Sequence, residues 1–322
     1  MSPAVAAVVP NWNGARWLPG CLASLRAQRR PFDAIVVVDN GSTDGSADGL
    51  GDDVRVVRLG ENRGFAAAAN AGVAAARAAG TDLVALVNSD VELEPDWLER
   101  VVAAIEGAGP GVAAVACKMV SLRDPSLLDD TGDVLRRDGV CEQRGRGRRD
   151  DGRWDAPGEI FAACAGAALY RRAAVEAVGG FDERLFSYLE DVDLGLRLRL
   201  AGWRAVYEPV VARHAGGGSS AQLARPVSGW VARNTLLLVA KAFPLRWAGP
   251  VLYRQAAWLV AAARGGTLRA HLGGLAAALP LLPAMLRERR ALRQRAVLPI
   301  EAVVDDRPWR GPRAGGHPRA GF

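Results

Sequence analysis

Apolar residues gather in short runs through the first 120 positions, at 4–9, 34–38, 54–58, 83–87 and 112–120. Stretches rich in Ala, Leu and Arg separate them, at 15–29, 46–51, 64–79 and 95–107. The short runs read as buried strands and the stretches between them as helices. Asp44 and Glu94 suit helix starts, and Pro95 suits a first helical turn. Strand–helix alternation with near-continuous apolar strands predicts an α/β fold, a mostly parallel, Rossmann-like sheet with helices on both faces. Ligands of such sheets bind beyond the carboxyl ends of the strands. The turns there are polar: Pro10-Asn11-Trp12-Asn13-Gly14, Asp39-Asn40-Gly41-Ser42-Thr43-Asp44, Glu61-Asn62-Arg63-Gly64-Phe65 and Asn88-Ser89-Asp90. All four are expected to converge on one cleft.

The alternation stops at residue 121. Residues 121–157 contain Asp129-Asp130 and an Arg/Gly/Asp run at 144–151, and they read as an exposed, mobile excursion. Patterning returns with a strand at 160–171, helices at 173–178 and 189–201, and a last strand at 205–212. Past residue 227 the character changes. Residues 235–240, 247–263 and 272–286 are apolar and helical, interrupted by Lys241, Arg246, Arg254 and several prolines. None is an unbroken apolar run of about 20 residues, the length a bilayer span needs. They suit interfacial amphipathic helices or a helical appendage. Arg287, Arg289, Arg290, Arg293 and Arg295 follow at once, which fits an anionic membrane surface somewhat better than a solvated helix face. From residue 305 the composition predicts disorder. The expected division is a catalytic unit over 1–226, a helical, membrane-associating region over 227–300 and a disordered tail over 301–322.

Composition narrows this picture. The 322 residues are half hydrophobic and 24% charged, which excludes global disorder. Cys21, Cys117, Cys141 and Cys164 are scattered, with no CxxC pair, so a disulfide scaffold or zinc cluster is excluded and a reducing, cytoplasmic setting is expected. No basic segment precedes residues 4–9 and Pro10 ends them, so they read as a first strand, not a leader. The net charge of +6 is uneven: residues 264–322 hold 11 basic and 4 acidic side chains, whereas 1–263 hold 30 and 31. A neutral body argues against a nucleic-acid partner. The basic residues are arginine except for Lys118 and Lys241, a bias of composition rather than of recognition.

Four places carry candidate chemistry. A strand delivers Asp39 into a turn, where its carboxylate can accept from a pyrimidine N–H or ribose hydroxyls; the same residues also suit a turn and helix cap. Asp90 ends an apolar strand and is a hard oxygen ligand suited to a divalent cation bridging phosphates, or a helix-capping acid. Glu190, Asp191 and Asp193 open a helix on which Asp191, Leu194 and Leu198 share a face. A carboxylate drawn toward a cleft edge there can act as a general base, while acids in a first helical turn are also favourable in themselves. His214 ends a strand before Gly216-Gly217-Gly218, where it can meet a ligand or phosphate or be structural.

Taken in this order, these features resemble the family 2 glycosyltransferases of GT-A fold, a nucleotide-diphospho-sugar transferase architecture, and within them the bacterial rhamnosyltransferase-like branch. The resemblance spans residues 4–218, with a further match at Arg233-Asn234. It implies an inverting, metal-dependent hexosyltransferase acting on a cell-envelope glycan. By resemblance Asp39 meets the donor's base, Pro10, Asn11 and Asn13 line the same pocket, and Asn62-Arg63-Gly64-Phe65 closes over the nucleotide. Asn88-Ser89-Asp90 stands where the family has its DxD motif, with Asp90 on Mg²⁺ or Mn²⁺ and His214 completing the metal or diphosphate site. Asp191 is the implied base, and Glu190, Asp193 and Arg233 fall on the acceptor side. The donor is expected to be a dTDP- or UDP-sugar, with rhamnose suggested by the branch. The acceptor is expected to be a glycan, either polyprenyl-diphosphate-linked and met at an anionic membrane surface, which the tail's apolar and basic helices favour, or soluble. Asn88 in the first DxD position implies weak, diphosphate-dependent metal binding, and an imidazole ligand shifts the preference toward Mn²⁺.

Other classes fit less well. A dinucleotide-binding oxidoreductase needs a GxGxxG turn after its first strand, where Pro10-Asn11-Trp12-Asn13-Gly14 stands. A sugar nucleotidyltransferase needs a Gly-rich basic loop there. A processive synthase needs several spans and a QxxRW motif, and Arg246-Trp247 has Phe243 in place of Gln. A catalytically dead, sugar-nucleotide-binding or scaffolding relative would not require Asp39, Asp90, Asp191 and His214 together.

Overall fold

The structure, a computed structural model, describes residues 2–217 and 226–306. The expected α/β sheet is present. In chain order it is built from β1 (Val5–Asn11), α1 (Leu18–Arg26), β2 (Ala34–Asp39), β3 (Val54–Arg58), α2 (Gly64–Ala78), β4 (Leu83–Val87), β5 (Val91–Leu93), α3 (Trp97–Gly107) and β6 (Val112–Ser121). Then come β7 (Leu128–Asp130), β8 (Asp133–Leu135), β9 (Cys141–Gln143), β10 (Gly158–Ile160), β11 (Ala167–Arg171), α4 (Arg172–Ala177), α5 (Glu190–Leu200) and β12 (Arg204–His214). Four helices follow: α6 (Val227–Ala242), α7 (Ala248–Arg264), α8 (Leu268–Ala278) and α9 (Leu282–Arg295).

The sheet runs β10-β12-β6-β11-β4-β1-β2-β3, with β5 against β12 and β7 against β6. β4, β1, β2 and β3 are mutually parallel, and so are β6 and β12; β11 is inserted antiparallel between β4 and β6. Alternate side chains of one strand feed opposite cores. Val5, Ala7 and Val9 pack with α1 and α3, whereas Ala6 and Val8 pack with α2 and α5. Both faces are thus covered, which is why the central strands β1, β2 and β4 are apolar nearly throughout.

α5 is buried on two sides. Leu194 and Leu198 meet the sheet, and Val192, Leu196 and Leu200 meet Leu238 and Ala242 of α6 and Phe243 just beyond it. Charge closes the same seam: Lys241 lies 2.8 Å from Asp182 and 2.8 Å from Asp193. α8 crosses α6 at two glycines, and a β-carbon on Gly274 would strike the Gly229 carbonyl. Leu245, Leu252, Tyr253, Val260, Leu272, Leu279 and Leu286 remain exposed on this helical region.

Several expectations are corrected. Residues 46–51 form turns, not a helix, and Asp44 instead accepts from the backbone N–H of Ala15 and Ser46. The run 160–171 is two strands separated by a loop. Residues 121–157 are not an exposed excursion. They carry β7, β8 and β9, bury Asp130, Thr131, Asp133 and Asp138, and are anchored where buried Lys118 meets Asp150 at 2.7 Å and Asp155. α8, a 3₁₀ turn and α9 join into one stretch, Leu268–Arg295, that by length and composition is long and apolar enough to cross a membrane. Val303 and Val304, expected in the tail, are buried against the α5–α6 seam, and Asp305 pairs with Arg136 at 3.3 Å. The remainder of the expected tail, 307–322, and the glycine-loop residues from Gly218 lie outside the described residues.

Candidate active site

The polar turns meet at the carboxyl edge of the sheet, as the alternation predicts. β1 and β2 end in register, Asn11 beside Asp39. Asn11 is buried and donates to Ser42 Oγ at 3.3 Å and Ser46 Oγ at 2.9 Å. Asn13, at φ 50°, accepts from the Thr43 N–H at 2.8 Å, and its own N–H donates to Ser42 Oγ at 3.0 Å. The first two loops are therefore stitched together around Asp39. The Asp39 carboxylate accepts from the Ser42 N–H at 3.0 Å and from Arg58 at 3.2 Å. Asn40 carries the stitching onward, accepting from the Arg63 N–H and donating to Asn62 Oδ1 at 3.0 Å and the Gly64 carbonyl at 3.1 Å. Pro10 sits in β1 beside Val38. Asn11, Asn13, Asp39, Asn62 and Gly64 thus form one connected wall, with Asn40, Ser42 and Arg58 as members the sequence reading left unassigned.

Asp90 and His214 form a second group, and strand pairing brings them together. β5 lies antiparallel to the end of β12 with Val91 opposite His214, which leaves Asp90 beside the imidazole. Asp90 Oδ1 is 3.3 Å from His214 Nε2, and His214 Nδ1 is 2.7 Å from Asp129 Oδ2. Asp129 lies where β7 breaks register against β6, a bulge that turns its side chain toward His214. Burial alone would lower the His214 pKa, but hydrogen bonds and charge from Asp129 and Asp90 outweigh it and raise it to about 10. Asp129 was missed because its surroundings read as a loop; a three-residue strand of sequence Leu-Asp-Asp carries no readable period. No group of three metal-ligating side chains occurs among the described residues. One carboxylate and one imidazole, with an acid orienting the ring from behind, fit a cation whose shell is completed by ligand oxygens, provided that the cation displaces the proton His214 Nε2 shares with Asp90.

The third group is at the start of α5. Asp191 accepts from the Ala165 N–H at 3.2 Å and the Val192 N–H at 2.8 Å. Burial raises its pKa above the usual aspartate range, with those N–H groups opposing. The segment that donates to Asp191 also meets the turn that leads to Asp90, since the Asn88 N–H donates to the Gly166 carbonyl at 2.8 Å. Glu190 is buried with Oε2 unpartnered, and burial and the Asp191 charge push its pKa well up. Asp130 and Asp133 are buried nearby in charge terms; burial, with Asp129 and Asp191, brings Asp130 to about 7. Asp193, expected to face an acceptor, is corrected: it is 1% exposed and pairs with Arg197 at 2.8 Å and with Lys241. Glu190 is likewise buried, not presented to solvent. Arg233 points at protein carbonyls, that of Arg184 at 2.7 Å and of Leu185 at 3.5 Å.

The third group leans on the first through Gly64. At φ 85°, Gly64 lies against the Phe186 carbonyl and ring, where a β-carbon would collide, and the Ala66 N–H donates to the same carbonyl at 3.1 Å.

Comparison with known proteins bears on this geometry. Residues 6–179 match the family model described as glycosyl transferase family 2. A pre-mycofactocin glycosyltransferase of Mycobacterium tuberculosis is 35% identical over 214 residues, 64% of this chain and 41% of that protein. The chain therefore spans well under half the length of that relative. An N-acetylglucosaminyl-diphospho-decaprenol L-rhamnosyltransferase of the same species is 31% identical over 242 residues, 65% of this chain and 75% of that protein. Among solved structures, GalNAc-T7 with UDP, GalNAc and Mn²⁺ is similar with a TM-score of 0.57 at 14% identity, covering 74% of this chain and 48% of that one. The mannosyltransferase PcManGT from Pyrobaculum calidifontis, in complex with GDP-Man and Mn²⁺, gives 0.50 at 22%, covering 92% and 86%. These two likenesses concern the fold.

Proposed function

The chain belongs to glycosyl transferase family 2, with a GT-A-like fold, and from that premise we propose that it is an inverting transferase moving a sugar from a nucleoside-diphosphate donor to a hydroxyl of a lipid-linked or cell-envelope glycan. The observation that carries the proposal is the joining of Asp191 to Asn88, at the start of the Asn88-Ser89-Asp90 turn whose Asp90 faces His214, through residues 165–166, one short segment of backbone. A base and a diphosphate-side site must stand on one edge for a single displacement, and this arrangement supports that.

In this reading Asn11, Asn13, Asp39, Asn62 and Gly64 hold the nucleotide, Asp39 from the base or ribose side. Asn88, Asp90 and His214 take the diphosphate side. Asp90 and His214 would hold Mn²⁺ or Mg²⁺, which supplies counter-charge to the leaving diphosphate. The Asp191 carboxylate accepts the acceptor's hydroxyl proton as that oxygen bonds to the anomeric carbon. The bond from that carbon to the diphosphate breaks on the opposite side, and the nucleoside diphosphate departs. The configuration inverts, and no covalent enzyme intermediate forms.

The rhamnosyltransferase relative makes dTDP-rhamnose the first donor to test, with UDP-sugars next, and a polyprenyl-diphosphate-linked sugar the first acceptor. The same reading divides the chain into a catalytic unit over 1–226 and a helical unit over 227–300. The helical unit makes peripheral contact with the inner face of the cytoplasmic membrane, supported by exposed apolar side chains beside exposed arginines.

The test is titration of the full chain with a nucleotide-sugar panel plus Mn²⁺ or Mg²⁺, reading thermal shift and diphosphate release together. Metal-dependent stabilisation by one donor with slow release is expected. Stabilisation without release, even with acceptor supplied, would favour an inactive binding relative. No response to any donor would remove the proposal.

A further inference from the structure

α5 begins from a strained approach. Phe186, Tyr188 and Leu189 have φ of 64°, 72° and 65°, a left-handed region that non-glycine residues occupy only when their surroundings hold them there. Leu189 directly precedes Glu190 and Asp191. The restraint comes from α6. Asn234, 0% exposed, donates its side-chain amide to the carbonyls of Leu185 at 2.8 Å, Ser187 at 2.9 Å and Tyr188 at 2.7 Å. Two N–H groups thus serve three carbonyls. Arg233 donates to Asn234 Oδ1 at 2.6 Å, which fixes the amide with its donors toward the loop, and to the Arg184 carbonyl. Trp230, four residues earlier on the helix, stacks on Phe186 at 4.8 Å between ring centroids and 6° between planes. On its far side Phe186 rests against Gly64 and the start of α2. The segment 185–189 is therefore clamped between α6 and the nucleotide-side loop.

We propose that Asn234 is a positioning residue for Asp191. Its amide holds 185–189 in the conformation that starts α5 with the Asp191 carboxylate at the cleft edge. This rests on the reading of Asp191 as the base. Loss of the three hydrogen bonds to this buried amide would free the helix start that carries Asp191.

Two variants of the full chain test it. Asn234→Asp keeps the size and the Arg233 contact but turns a carboxylate toward three carbonyls. Asn234→Ala removes the clamp. With the nucleotide-sugar that gives diphosphate release, kcat is expected to fall about 10- to 100-fold in both, while dTDP or UDP affinity stays within about threefold. Rescue separates positioning from general packing. Glycine accepts the left-handed conformation without restraint, so Asn234→Ala with Tyr188→Gly is expected to recover about 10-fold in kcat over Asn234→Ala. Amide exchange across 185–190 gives a readout without turnover, and acceleration of about 10-fold in both single variants is expected. Unchanged exchange, kcat within about threefold of the parent in both single variants, or a double variant no faster than Asn234→Ala would overturn the proposal. Asp191→Asn runs in parallel. If it retains turnover, the base assignment fails whatever Asn234 does. If it loses turnover while both Asn234 variants keep theirs, only the clamp fails.

Discussion

In the proposed mechanism the chemistry turns on Asp191 and Asp129. Burial raises Asp191, and a base must be deprotonated to work, so transfer is expected to be full above its folded pKa and lost as pH falls through it. The acid limb of kcat/KM should lie above the ordinary aspartate value of about 3.9. A profile flat down to about pH 4 would remove Asp191 from the role. Asp191→Asn should abolish release to acceptor while dTDP or UDP titrations stay near those of the parent. Asp129 acts one step back, orienting His214 through Nδ1 so that Nε2 faces Asp90. Removing such an orienting acid weakens metal affinity about 10- to 100-fold, and Asp129→Asn should cost that much in the Mn²⁺ concentration needed for nucleotide-dependent thermal stabilisation. An unchanged Mn²⁺ requirement would mean that His214 is held by β12 alone.

At the scale of elements, legibility followed burial of apolar groups. β1, β2, β4 and β6 were readable because both their faces are covered, leaving unbroken apolar runs whose ends mark Asp39 and the Asn88–Asp90 turn. Residues 121–157 were not readable, because much of what they bury is polar. Asp130, Thr131 and Asp133 are as inaccessible as core valines, yet Asp, Gly and Arg in sequence look like solvent. The contact of Asp129 with His214 was hidden with them. Asp193 misled for a related reason: acids in a first helical turn look exposed, and only the packing of α6 shows that Lys241 lies across it. That lysine predicts its own importance. Its side chain is 5% exposed between Asp182 and Asp193, so Lys241→Met would leave Asp182 with Arg184 alone and Asp193 with Arg197 alone and cost about 1.5–3 kcal/mol of stability, measurable by urea unfolding. Despite burial, which opposes it, Asp182 is held below the usual carboxylate range by Arg184 and Lys241. Its stabilising contribution is therefore present above about pH 4 and fades as pH falls below that value. A variant as stable as the parent at pH 7 would show that the seam is held by its apolar contacts alone.

The whole molecule is electrically divided, and that division predicts where it works. The sheet and its loops are near neutral, whereas residues 264–322 carry the surplus of arginine. On α9, Arg287, Arg290 and Arg293 are all exposed and recur at a spacing of three, so they lie along one side of the helix near exposed Leu286. Leu252, Tyr253 and Leu272 add exposed apolar area on the neighbouring helices. Apolar area alone would bind any bilayer weakly, and charge alone would bind polyanions without depth; the two together select an anionic leaflet. Each arginine near such a surface contributes about 1 kcal/mol, so replacing Arg287, Arg290 and Arg293 by Gln should weaken binding to phosphatidylglycerol vesicles about 100-fold. Flotation of the full chain on anionic and on phosphatidylcholine vesicles checks this. Binding should favour the anionic vesicles and fall as salt rises from about 0.05 to 0.5 M, because screening shortens the reach of the charges. Equal flotation on both vesicle types, insensitive to salt, would point instead to insertion of the Leu268–Arg295 stretch, and a sugar acceptor would then be met by a span and not by a resting surface.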